Sequence, residues 1–139
     1  MRWVRWGVIS AVLGVALSIA TCRGRPSPQA VCDTYLQGLG GISYASFRGC
    51  NLGPAGLDVA WRLTLDGTNA ERLLDVGGFR PPYLCDSRHF ARWMRLALDG
   101  LDLQPTAVDT NGLLVSRSNE SQLVLMRAKG DVVIVRIRN

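Results

Sequence analysis

Cys85, Asp86 and His89 form the compact group in this sequence whose residue types could do covalent chemistry. At a helix start, Cys85 and His89 stand four apart and can face each other. A helix N-terminus lowers a thiol pKa, and an imidazole can act as its base. These are the parts of a small thiol hydrolase. The structural alternative is a disulfide cysteine beside a surface histidine, with Asp86 capping the helix. Asp109-Thr110-Asn111-Gly112 has the opening of a calcium loop without the remaining ligands or the closing Glu, and reads as a turn. Asp99 and Asp102 flank a helix end, and nothing else supports a glycosidase-like carboxylate pair. Gly38, Gly40 and Gly41 lack the Lys-Ser or Lys-Thr of a phosphate loop. GxSxG, HExxH and SxxK patterns are absent from the sequence. The expectation is therefore no catalytic residue, no metal and no cofactor.

Arg88, Arg92 and Arg95 recur along one helical stripe, away from Phe90, Trp93, Met94 and Ala97, which recur at core spacing. Core packing does not explain them. They read as a solvated face or as a patch for an acidic protein surface, since the planar guanidinium fork pairs carboxylates bidentately. The chain carries a formal charge of +5, and all its basic residues except Lys129 are Arg. That balance is too mild to argue for nucleic acid.

The elements that bring these residues to their compartment come first in the chain. Arg2 and Arg5 precede an uncharged apolar run from Val8 to Ala20, a pattern of export signals. The run is shorter than the roughly 20 residues of a spanning helix. Ser18 and Ala20 suit a soluble-type cut before Thr21. Alternatively, Ile19-Ala20-Thr21-Cys22 resembles the lipobox of bacterial lipoproteins, which makes Cys22 the lipidated first residue of the mature chain. Thr21 departs from the Gly, Ala or Ser usual there. An uncleaved anchor is the third alternative. The expected organisation is a signal peptide over 1–21, a tether over 22–28 and a single domain over 29–139.

In an oxidising compartment, Cys22, Cys32, Cys50 and Cys85 are disulfide candidates rather than zinc ligands, because no CxxC pair is present. A bridge between Cys32 and Cys50 is expected, with Cys50–Cys85 as the rival pairing. Closing such a loop is worth about 3 kcal/mol in the chain-entropy account.

Ser27-Pro28 predicts a helix start, with the helix running to about Gln37. Strands are expected over Ile42–Asn51 and Leu57–Leu65. Thr68 and Glu71 form a capping box for a helix reaching Val76. Pro81 and Pro82 force extended chain, and a helix follows from Asp86 or Ser87 to about Leu98. Leu113–Arg117, Gln122–Ala128 and Val132–Arg138 predict an antiparallel meander. The expected fold is α+β: an antiparallel sheet of about five strands with two or three helices packed on one face.

Cys32-Asp33-Thr34-Tyr35-Leu36, Ser46-Phe47-Arg48-Gly49-Cys50, Ala60-Trp61-Arg62-Leu63 and Tyr83-Leu84-Cys85 resemble the pattern of a family of small exported bacterial proteins of unknown function. That pattern has a cysteine pair where this chain has Cys85 followed by Asp86. The resemblance implies export and an α+β domain. It implies no catalytic residue.

These readings converge on a membrane-tethered periplasmic protein of inhibitor or immunity type, non-enzymatic, binding another protein. A structural or accessory lipoprotein of an envelope or secretion assembly is the alternative. The membrane contact is expected through lipid on Cys22. A Cys22→Ser protein is then expected to leave the membrane fraction or to stall unprocessed. An intact mass that starts at Thr21 without acyl chains would refute lipidation.

Overall fold

Ser27 and Pro28 open the first helix. The computed structural model describes residues 26–53, 58–83 and 86–139. In α1 (Pro28–Gly38) the Ser27 hydroxyl accepts the Ala30 N–H at 3.1 Å, and Pro28 occupies the first turn. The hydroxyl satisfies one of the N–H groups a helix start leaves open, and proline there forfeits no hydrogen bond. The chain turns away through Gly40 and Gly41, whose φ values of +94° and +81° strain any side chain.

β1 (Ser46–Asn51) and β2 (Val59–Thr64) pair antiparallel, with Cys50 opposite Ala60. α2 (Gly67–Val76) begins one residue before the expected capping box. Its cap is Asp66, whose carboxylate accepts the Asn69 N–H at 2.7 Å and the Asn69 side-chain amide at 3.0 Å. An ionised acceptor suits the positive end of a helix better than the Thr68 hydroxyl. Those bonds hold the Asp66 carboxyl below the ordinary aspartate value.

α3 (Asp86–Gly100) extends past Leu98 to Gly100. Its end is closed by Asp102 N–H to the Asp99 carbonyl at 3.2 Å and Leu103 N–H to the Leu98 carbonyl at 2.9 Å. This is the Schellman arrangement, with Asp102 in the left-handed position at φ 55°. A 3-10 turn (Pro105–Ala107) leads into β3 (Asp109–Arg117), β4 (Ser121–Ala128) and β5 (Asp131–Arg138). Lys129 and Gly130, both at positive φ, join β4 to β5, as a tight hairpin requires.

The protein is α+β, with one open five-stranded antiparallel sheet in the order β1-β2-β5-β4-β3. β3, β4 and β5 form the expected meander. β5 then lies against β2, so the meander and the β1–β2 hairpin share one sheet.

The expectation of helices on one face is corrected. α1 and α2 cover one face, where Cys32, Leu36 and Leu73 pack against Trp61, Leu63, Leu125 and Ile134. α3 covers the other, where Phe90, Ala97 and Leu98 pack against Ala60, Val124, Met126, Val133 and Val135. Successive strand residues feed opposite faces. Leu123-Val124-Leu125-Met126 and Val133-Ile134-Val135 are buried without a break and so need cover on both sides. A run with no polar alternation is the mark of a strand buried on both faces.

The two-sided sheet also corrects the expected bridge. Cys32 lies in the core beneath α1, while Cys50 packs against the core beneath α3. The two thiols are free and separated by the sheet itself. The Cys50 sulfur instead lies against α3 at Gly100, where a Cβ would stand 2.5 Å from it. Cys22 and Cys85 lie outside the described residues.

Gly100 therefore permits a close approach between α3 and β1. Gly100→Ala is expected to destabilise by about 1–3 kcal/mol through overpacking, against the gain of about 1 kcal/mol that Ala brings to a helix. In a Cys50→Ala background the same substitution is expected to be neutral or stabilising. Urea denaturation of the four proteins checks this. Equal effects of Gly100→Ala in both backgrounds would refute the contact.

Candidate functional site

α3 turns its apolar side inward because Phe90, Ala97 and Leu98 recur at helical spacing over the sheet. The opposite side then carries Arg88, Arg92 and Arg95, and all three are exposed. Asp99 continues the same stripe one turn beyond Arg95. Its carboxylate makes no ion pair with Arg95, and the ion pair found among the described residues joins Arg62 to Asp131 at 2.7 Å. The structure thus brings the three predicted arginines together on one face.

Beside that face runs a cleft of about 490 Å³. Met94, Leu98, Leu113 and Pro105 form its apolar wall, and Arg95 and Asp99 stand at its margin. Its far side is built by an irregularity in β3. The β3–β4 register shifts between Asp109 and Leu114, and the Asp109 carboxylate accepts the N–H groups of Asn111 at 3.0 Å and Gly112 at 3.1 Å. The fragment that opens like a calcium loop thus spends its carboxylate on backbone donors, as a turn within a bulged strand does. Among the described residues no group of three His, Cys, Asp or Glu side chains could hold a metal ion.

The thiol group cannot be assembled from the described residues: Cys85 and the side chains of Asp86 and His89 lie outside them. Burial pushes the Cys32 thiol up to about 12, with the neighbouring Asp33 carboxylate adding to the rise. Burial also raises Cys50, against smaller opposing effects of the Ala60 backbone and Arg48. Both shifts favour the neutral thiol over the nucleophilic thiolate.

A second cleft, of about 660 Å³, was not anticipated from the sequence. It opens between α1 and the end of the sheet where Val59, Arg136, Leu123 and Ser116 lie side by side across β2, β5, β4 and β3. Arg136 and the Tyr35 side chain line it. Tyr35 stacks on Trp61 with ring centroids 5.7 Å apart, yet its phenol oxygen and the Trp61 indole nitrogen are both buried without a hydrogen-bond partner. Burial pushes the Tyr35 phenol up to about 12, Cys32 adds to this, and the Arg136 guanidinium opposes it. The signal for this site is Arg136 itself. It follows Val132-Val133-Ile134-Val135 in an inward-facing register, where an apolar residue is the rule.

Comparison of the chain with protein-family models, curated proteins and solved structures finds no match. No described helix is long and apolar enough to cross a membrane.

A desolvated hydroxyl without a partner costs about 1–3 kcal/mol. Tyr35→Phe is accordingly expected to leave stability unchanged or to raise it by up to about 1 kcal/mol. The alkaline limb tests the same burial. A phenol raised from 10.0 to about 12 in the folded state favours folding only while neutral. Its contribution is full below pH 10 and is lost as the pH rises through about 12. Tyr35→Phe is expected to lessen the loss of stability in that window, measured by denaturation at pH 8 and at rising alkaline pH. A Tyr35→Phe protein markedly less stable at neutral pH would show that the hydroxyl has a partner.

Proposed function

We propose that this chain is an exported, membrane-tethered, non-enzymatic binding protein of inhibitor or immunity type, and that an acidic partner protein docks on α3. The observation that carries the reading is the exposed Arg88, Arg92 and Arg95 face, which makes no ion pair among the described residues and is bordered by an apolar cleft. Such a pairing suits a protein interface. Arginine covers apolar surface with its stem while its fork pairs carboxylates, and an adjoining pocket accepts an anchoring side chain. The export signal, the lipobox-like Ile19-Ala20-Thr21-Cys22 and the lack of a catalytic motif support the tether and the non-enzymatic role. An accessory lipoprotein of an envelope assembly would use the same surface. An effector gene beside this one would argue for the immunity role.

Replacing Arg88, Arg92 and Arg95 together by Ala is expected to keep the melting temperature, since surface changes cost under about 0.5 kcal/mol each. Affinity for the partner recovered from envelope extract is expected to fall far more, because losing a desolvated charge pair costs about 2–5 kcal/mol. Wild-type binding should also weaken with salt. A triple variant that melts normally and binds the same partner equally well returns the stripe to a solvated face.

A further inference from the structure

The cleft between α1 and the β4–β5 pair is built unlike the rest of that face. The neighbouring row across the sheet is Trp61, Ile134, Leu125 and Leu114, all apolar. One step along, at the same inward-facing register, β5 carries Arg136 between Val59 and Leu123, both buried. A guanidinium on an inner strand is expensive unless a partner compensates for lost water. Arg136 is half-buried, and among the described residues its side chain makes neither an ion pair nor a hydrogen bond. The acidic side chain lining the same cleft, Glu120, is exposed and stands in no ion pair with it.

A second polar group at this place is also without a partner. The Tyr35 hydroxyl is closed to water and bonded to nothing, although a buried hydroxyl ordinarily finds an acceptor. Arg136 lines the same cleft as Tyr35. A guanidinium fork that lines a cleft and is taken up by none of the acceptors there suits an anion. Ala30, Val31 and Leu123, with the Tyr35 ring, form one apolar wall, while Thr34, Ser116, Ser118 and Ser121 line the rest, with Arg117 and Glu120. A volume of about 660 Å³ falls in the range of small-molecule sites, about 300–1,000 Å³.

We propose that this cleft binds a small organic carboxylate, its carboxylate held by Arg136 and its apolar body laid against Val31 and Leu123. Two features choose a carboxylate on an apolar body over a bare oxyanion. Arg136 offers a planar fork that a carboxylate meets with two parallel hydrogen bonds. The apolar wall of Val31 and Leu123 adds nothing for an anion that is polar all round. The site is separate from the α3 face, and the two assignments stand or fall independently.

Thermal melts of the full chain test it, with four probes: benzoate, hexanoate, benzyl alcohol and inorganic phosphate. Benzoate or hexanoate is expected to raise the melting temperature with a saturating dose response, as binding to the native state alone requires. Benzyl alcohol and phosphate are expected to give none. Arg136→Gln should abolish the response. Arg136→Lys, which keeps the charge and the stem, should weaken it about tenfold or more by losing the bidentate fork, and it serves where the Gln variant fails to fold. The Arg88, Arg92, Arg95 triple variant should respond as wild type does. Absence of any saturable response in wild type overturns the assignment. So does an equal response to phosphate or benzyl alcohol, or a full carboxylate response in an Arg136 variant that folds.

Discussion

The pairing of β5 with β2 is the interaction on which the rest of the molecule depends. It is the seam between the β1–β2 hairpin and the β3–β4–β5 meander, running from Val59 opposite Arg136 to Thr64 opposite Asp131. Because β5 is central, its side chains alternate between the cores. Val133, Val135 and Ile137 enter the core under α3, and Ile134 enters the one under α1 and α2. Each helix has an apolar floor only because that strand is in place. The polar end of the seam is fixed by Asp131, which accepts from Arg62 at 2.7 Å and from Thr64 at 2.8 Å.

Much of this was legible in the residues. Ser27-Pro28, the strand around Trp61 and the meander turns carry local signals, and local signals survive into the fold. The arginine stripe was visible because helical spacing alone places Arg88, Arg92 and Arg95 together. The layering was misjudged because an antiparallel sheet usually leaves one face to water. The unbroken run Leu123–Met126 pointed the other way. The α2 cap shifted because Asp66 and Thr68 are both plausible by residue type, and only the chain path decides between them.

What sequence could not supply was which faces meet. Cys32 and Cys50 look bridgeable from spacing, since one lies on a helix and the other on the strand that follows it. Sheet parity separates them: one step along β2 or β5 changes the core a side chain enters. The clefts depend on the same parity. Arg136 reads as an ordinary strand residue until its row across four strands is known, and Tyr35 as an ordinary helix residue until its hydroxyl is found without an acceptor.

The order of the strands has a kinetic side. β2 is made early, yet its inner neighbour β5 follows only after both later helices and two further strands. Until then Val59, Trp61 and Leu63 belong to a hairpin with one bare edge and no lasting shelter, since a two-stranded unit is marginal in water. Contacts this distant along the chain slow folding. The growing polypeptide therefore stays open until β5 has emerged. An exposed strand edge is also a template for wrong pairing, so the same delay makes a holding chaperone the natural companion of the nascent chain.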